Sequence, residues 1–376
     1  MSSHQDSLTA ERQRYGGQAV VEGVMMRSPR YFAVACRRQS DGEIVVELEN
    51  VESVTKSWQW LNKPFLRGIL ALVDALYMGT KALIYSANVQ AADVPGTPAG
   101  DVALSRLTPD PKSALNGAEA ADVASGQAAL TGSAAGVAPA GTPPINGIVI
   151  GSTVLVSLLI GMGMFWVLPT VLTELIFGSR GVDPHTLTSR MKLLENLSDG
   201  GIRIVIFLTY IALISRMENV RRVFMYHGAE HKAINTLEAG DELTLENARK
   251  ASRIHPRCGT NFIFIVLIVS IFVLAFFGRP VWYVRIPLHL ISVMFVVGIA
   301  FEVLKFAGKY RAHWWAQLLI APGLATQYLT TRVPDDSMVE VALASLKAVW
   351  GREHEVASDR DAARTSEVAA DSVAVA

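Results

Sequence analysis

Cysteine is scarce. Only two occur in 376 residues, Cys36 and Cys258, so one disulfide is the most the chain can form, which argues against a disulfide-stapled secreted fold. There is no excess of charge of either sign: 34 basic residues balance 34 acidic ones. That leaves no field to attract nucleic acid, and no nucleic-acid partner is expected. The first fifteen residues lack the apolar run of a signal peptide. No internal repeat is visible, which argues against an inverted-repeat transporter. Charged residues make up only 18% of the chain while hydrophobic ones reach 51%, more apolar than a typical soluble domain. This balance points to an α-helical polytopic membrane protein.

The apolar residues fall in blocks. Four runs, at 148–177, 202–217, 262–278 and 286–303, read as transmembrane helices, each measured against a hydrocarbon core of about 30 Å. Pro169 is placed to kink the first. The segment 65–90 also has a helical pattern, but Arg67, Asp74 and Lys81 interrupt it. Each charge costs about 3 kcal/mol at mid-bilayer, so an interfacial helix is expected, with a fifth span as the competing reading. Lysine and arginine gather in the N-terminal region, in the loop 218–261 and after the last run, which orients both termini and that loop toward the cytoplasm. Ahead of the membrane part, segments 31–38 and 43–51 read as strands of a β-hairpin turning at Asp41-Gly42.

The organisation that follows is a disordered tail at 1–14 and an N-terminal cytoplasmic unit at 15–90 with the β-hairpin and interfacial helix. A disordered Ala/Gly/Pro-rich linker occupies 91–144. A membrane domain spans 145–331, with its cytoplasmic loop at 218–261. An amphipathic helix at 332–350, capped by Asp336 or Ser337, is followed by a disordered tail at 351–376. Pro322-Gly323 is expected to break 313–331 into a re-entrant or interface-lying hairpin.

The loop 218–261 carries the chemistry. In His227-Gly228-Ala229-Glu230-His231, helical spacing puts both imidazoles and the carboxylate on one face. Two histidines four apart can share a metal ion, and Glu230 can act as general base, in the order of the inverted zinc-peptidase motif. The plain alternative pairs Glu230 with Lys232 or Arg222. A second block, His255-Pro256-Arg257-Cys258-Gly259-Thr260-Asn261, offers His-x-x-Cys, half of a zinc knuckle. With His227, His231, His255 and Cys258 all ligating, the site is closed and structural; with three and a water it is catalytic. Thr244 is placed to cap a short helix between the blocks. His289 and Glu302 lie in or near the last span, where ionisable groups tend to be functional, although Lys305 offers Glu302 a simple ion pair. Glu22 stands among glycines and is a further site candidate, either as part of a site or as a buried arginine partner.

Four blocks together resemble the YqhQ-like family of bacterial multi-span membrane proteins. They are residues 16–27, His227 to Lys232, His255 to Asn261, and Thr330-Thr331-Arg332-Val333-Pro334-Asp335-Asp336. The linker at 91–144 departs from the family pattern. The resemblance implies a multi-span protein of the bacterial inner membrane described as a predicted metal-dependent enzyme, and draws Arg257, Asn261, Asp335 and Asp336 into the set of candidates. Three functions are expected in order: a zinc-dependent, hydrolase-like enzyme acting at the cytoplasmic membrane face; a non-enzymatic assembly or scaffold factor with a structural zinc knuckle; and a transporter or channel subunit using Arg285, His289 and Glu302. The lipid bilayer is the expected partner, with a membrane-protein or lipid-linked partner beside it.

Overall fold

The computed structural model describes residues 15–51, 63–92, 155–157, 159–178, 188–276, 282–310 and 313–374, with a few isolated positions besides. The expected tail at 1–14 and the linker at 91–144 lie almost wholly outside the described residues.

Strands β1 (Gly16–Val20), β2 (Gly23–Arg27), β3 (Tyr31–Arg37) and β4 (Ile44–Asn50) form an antiparallel meander in chain order. The hairpin expected at Asp41-Gly42 is β3–β4, with Gly42 at φ +73°. β1 and β2, outside the expected hairpin, add two strands to it. Because successive side chains alternate, Val24, Met26, Ala33 and Ala35 point one way and Val20, Met25, Phe32, Val34 and Cys36 the other.

Both faces are covered. Helix α1 (Leu66–Ala92) lays Met78, Ala82, Tyr85 and Val89 on the second face. Its three charges all have opposite neighbours: Arg67 pairs with Glu302, Lys81 with Glu49 at 2.6 Å, and Asp74 lies within electrostatic reach of Arg27. The first face is filled from far along the chain. It packs against Tyr226, Ala229, Ala233 and Ile234 of helix α4 and against Met338, Ala342, Leu346 and Val349 of the last helix. The N-terminal unit is therefore completed by the histidine-bearing loop and the C-terminus.

Between these parts lie α2 (Leu155–Phe177) and α3 (Ser189–Ile214) before α4 (Glu218–Ala239), then α5 (Leu245–Lys250), α6 (Gly259–Phe276), α7 (Trp282–Lys309), α8 (Trp314–Thr330) and α9 (Asp336–Ala374). Among the described residues, five helices are long and apolar enough to cross a membrane: α1, α2, α3, α6 and the Ile291–Lys309 part of α7. A π-helical turn at Gly163–Val167 precedes Pro169 and absorbs the irregularity expected there. α3 starts well before the run the sequence marks, with the Thr188 hydroxyl accepting from the Met191 N–H.

Three expectations are corrected. α8 runs unbroken through Pro322; Gly323 lies so close to Asn261 that a Cβ there would clash, and this packing outweighs the lost backbone hydrogen bond. The cap of α9 is Asp335, whose carboxylate accepts from the Met338 N–H at 2.9 Å. α9 continues past Gly351 to Ala374 where a tail was expected.

Candidate functional site

Helix α4 carries the motif, and its face is set by packing on β1. Gly17 faces Glu230 so closely that a Cβ there would meet the Glu230 Cγ at 2.9 Å. On the next residues of that face, His227 and His231 turn toward Cys258, the residue just ahead of α6. One ligand atom from each of His227, His231 and Cys258 lies within 4.8 Å of the others.

Backbone carbonyls fix both imidazoles. His227 Nδ1 donates to the Thr330 carbonyl at 2.9 Å, and His231 Nδ1 to the Arg253 carbonyl at 2.6 Å. A carbonyl can only accept, so each Nδ1 holds the proton and each Nε2 presents a lone pair, the arrangement that orients metal ligands. His227 Nε2 stands 3.1 Å from Cys258 Sγ. His231 Nε2 is buried and, among the described residues, makes no hydrogen bond of ordinary geometry. A buried acceptor left so is costly, and a metal ion would satisfy it. Burial also holds the His231 imidazole below its usual pKa, against the upward pull of the Cys258 thiol, which keeps it in the neutral form a ligand requires. The donor set, two imidazoles and one thiol, suits zinc.

Glu230 is buried, and that burial pushes its carboxyl above the ordinary carboxylate range, although His227, His255 and the Gly17 N–H oppose the shift. Neither plain partner of Glu230 takes it. Lys232 donates instead to the carbonyls of Arg249 and Ala251 at the end of α5, and Arg222 forms a two-point pair with Glu22 at 2.6 Å for both contacts.

His255 stands beside the cluster. Its Nε2 is 3.1 Å from Glu238 Oε1, and Arg257 pairs with the same carboxylate. His255 is thus outside the three converging ligand atoms, and Glu238 shapes the loop that delivers Cys258. Asn261 donates to the Pro256 carbonyl at 3.2 Å within that loop. Glu302 does not approach the site: its carboxylate holds Arg67 and accepts from the Phe65 N–H. Its partner is Arg67, not the expected Lys305. Asp335 caps α9, and Asp336 pairs with Arg249 between half-exposed side chains. The side chains of Arg285 and His289 lie outside the described residues. Thr244 caps α5 as expected.

The sequence does not single out Gln327. It is fully buried on α8 and holds the His255 backbone at both N–H and carbonyl. Nothing in the local pattern of an apolar helix marks such a residue.

The model of the family described as protein of unknown function DUF1385 matches residues 63–352. A relative from Bacillus subtilis (strain 168), the uncharacterized protein YqhQ, is 34% identical over 335 residues, covering 88% of this chain and 90% of its own. No solved structure gives a significant match. The chain therefore belongs to the YqhQ-like DUF1385 family.

Proposed function

We propose that the protein is a four-span membrane protein with a zinc-dependent hydrolase site at its cytoplasmic face. Two features support the membrane part. The apolar helices carry large outward side chains such as Ile160, Ile176, Val205, Phe272 and Phe295, all more than half exposed, a surface that water disfavours and lipid accepts. In addition, the sheet, α4 and α9 share one core. Two apolar helices, α2 and α3, connect the sheet unit to α4, and two more, α6 and α7, separate α4 from α9. An even number in each connection returns the chain to the same side. With α1 as a further crossing, the sheet and α4 would fall on opposite faces, so α1 is read as lying beside the bilayer.

The observation that carries the enzymatic part is the convergence of His227, His231 and Cys258, with the His231 Nε2 buried and, among the described residues, without a hydrogen bond of ordinary geometry. Three protein ligands leave a position for a water or substrate. Of the three, His227 is only partly buried, so the opening lies on its side. A zinc ion held by His227, His231 and Cys258 would supply Lewis acidity there. Glu230 takes the proton from the attacking water and returns it to the leaving atom, while the hydroxyl goes to the electrophilic centre. Thr330 and Arg253 hold the imidazole rings in register throughout.

The burial of His231 and Cys258 favours one other reading, a structural zinc knuckle in a membrane assembly factor. Cobalt substitution separates the two. The detergent-purified chain takes up about one cobalt, with a sulfur-to-metal band that Cys258→Ser abolishes and His227→Ala weakens. Thiocyanate then perturbs the visible spectrum if a position is open and leaves it unchanged if the site is closed. Glu230→Gln retains the metal. Failure of the wild type to bind any divalent metal would overturn both readings.

A further inference from the structure

Helix α8 crosses the ends of the apolar helices. Near its start, Ala316 and Ile320 bury against Ala307, close to the end of α7. At its middle, Gly323 meets Asn261 in the first turn of α6. Just past its end, Arg332 donates to the hydroxyl of Ser215, the C-cap of α3. A helix that touches the termini of three apolar helices lies along the surface where they stop.

The outer stripe of α8 is apolar and aromatic. Trp314, Leu318 and Tyr328 are 76%, 66% and 59% exposed, and Val333 just beyond is 69% exposed. Arginines border this stripe. The Arg253 guanidinium sits 5.4 Å from the Tyr328 ring centroid and donates to the Thr331 carbonyl. Arg332 is half-buried and adjoins the exposed Val333. Tryptophan, tyrosine and arginine at the level where apolar helices end match the headgroup layer of a bilayer. This same stretch builds the site, since the Thr330 carbonyl holds His227 and the Arg253 carbonyl holds His231.

We infer that α8 lies in the membrane plane and that Arg253 and Arg332 bind the phosphate of an anionic phospholipid there, making a phospholipid headgroup the substrate class of the His227–His231–Cys258 site. The substrate assignment rests on the hydrolase reading; the headgroup binding does not. A guanidinium is suited to phosphate by its planar fork of donors, and Arg253 holds its fork beside the exposed Tyr328 ring.

The test uses the full chain in detergent, titrated with phosphatidylglycerol, phosphatidylcholine or inorganic phosphate while thermal unfolding is followed. Phosphatidylglycerol raises the unfolding temperature, and the other two do not. The double variant Arg253→Gln/Arg332→Gln binds phosphatidylglycerol roughly 30-fold more weakly. A second measurement needs no arginine variant: in phosphatidylglycerol vesicles, brominated acyl chains quench the part of the fluorescence that Trp314→Phe removes. Equal shifts with phosphatidylcholine, full binding by the double variant, a response to phosphate alone, or an unquenched Trp314 would each overturn the inference. His227→Ala loses metal but keeps the phosphatidylglycerol shift. Metal binding without lipid selectivity would thus sink this inference alone, and lipid selectivity without metal would sink the hydrolase reading alone.

Discussion

The side-chain amide of Gln327 brackets the backbone of His255, its Oε1 accepting the His255 N–H at 2.9 Å and its Nε2 donating to the His255 carbonyl at 2.8 Å. One buried residue of α8 thereby fixes the loop that turns Cys258 toward the histidines. Gln327→Leu keeps the apolar bulk and leaves both backbone groups unpaired, at a cost of about 2 kcal/mol. Metal affinity should fall 10- to 100-fold, the usual range for a group that orients ligands without touching the metal. Gln327→Glu, which keeps the acceptor, should lose less. Competition against a chromogenic chelator measures both, and wild-type affinity in Gln327→Leu would show that the clamp does not position Cys258.

Gly228 lets the chain after α8 pass against α4. A Cβ there would come within 2.2 Å of the Arg332 carbonyl oxygen, which backbone cannot yield without moving the segment that starts at Thr330. Gly228→Ala therefore pushes the Thr330 carbonyl off His227 Nδ1. The expected result is a loss of about 2 kcal/mol in stability, in the range of overpacking, with weakened metal binding besides. Gly351→Ala, where a Cβ meets nothing within 4 Å, is the control and should be neutral or slightly stabilising.

Much of this was legible in the residue pattern because the governing forces are local. Long apolar runs mark α2, α6 and α7, Asp41-Gly42 marks the β3–β4 hairpin, and the spacing of His227, Glu230 and His231 places them on one helical face. β1 and β2 were obscured. β2 is buried on both faces and shows no alternation, while the β1–β2 turn uses Glu22 at φ +51° instead of a glycine. Contacts made over long stretches of chain leave no local trace: the carbonyl that anchors His227 comes from a residue 103 positions away. Pro322 misleads for the opposite reason, since a strong local signal for a break is overridden by tertiary packing.

That Glu22 turn makes a prediction of its own. Its side chain is only 11% exposed, while its partner Arg222 is 46% exposed, and Tyr226 donates to it as well. Removing the arginine strands a buried carboxylate; removing the glutamate releases a guanidinium that water can reach. Arg222→Met should cost about 3 kcal/mol and Glu22→Asn, which tolerates the left-handed backbone, about 1 kcal/mol. Chemical denaturation of the two variants checks the order, and a reversal would mean that the pair is held by the arginine's surroundings.

Glu353 ties α9 to the sheet at the opposite end of the shared core. Ser28 Oγ donates to its Oε1 at 2.6 Å, Arg30 Nε to its Oε2 at 2.6 Å, and the Arg30 backbone N–H to Oε1 at 3.1 Å. Burial pushes the Glu353 carboxyl upward, but Arg30 and Ser28 together outweigh it, so its pKa lies below the ordinary glutamate value. A carboxyl depressed in the folded state binds protons more readily when unfolded. Its contribution is therefore fully present above the unfolded value of about 4.3 and is lost as pH falls through the folded one. Hydrogen–deuterium exchange over 336–358 should accelerate as the pH drops below about 4, beyond the intrinsic change in exchange rate. In Glu353→Gln the exchange should be faster at neutral pH and should lose that extra acid dependence, because the amide cannot titrate. An acid response unchanged in Glu353→Gln would place the sensitive group elsewhere in the core.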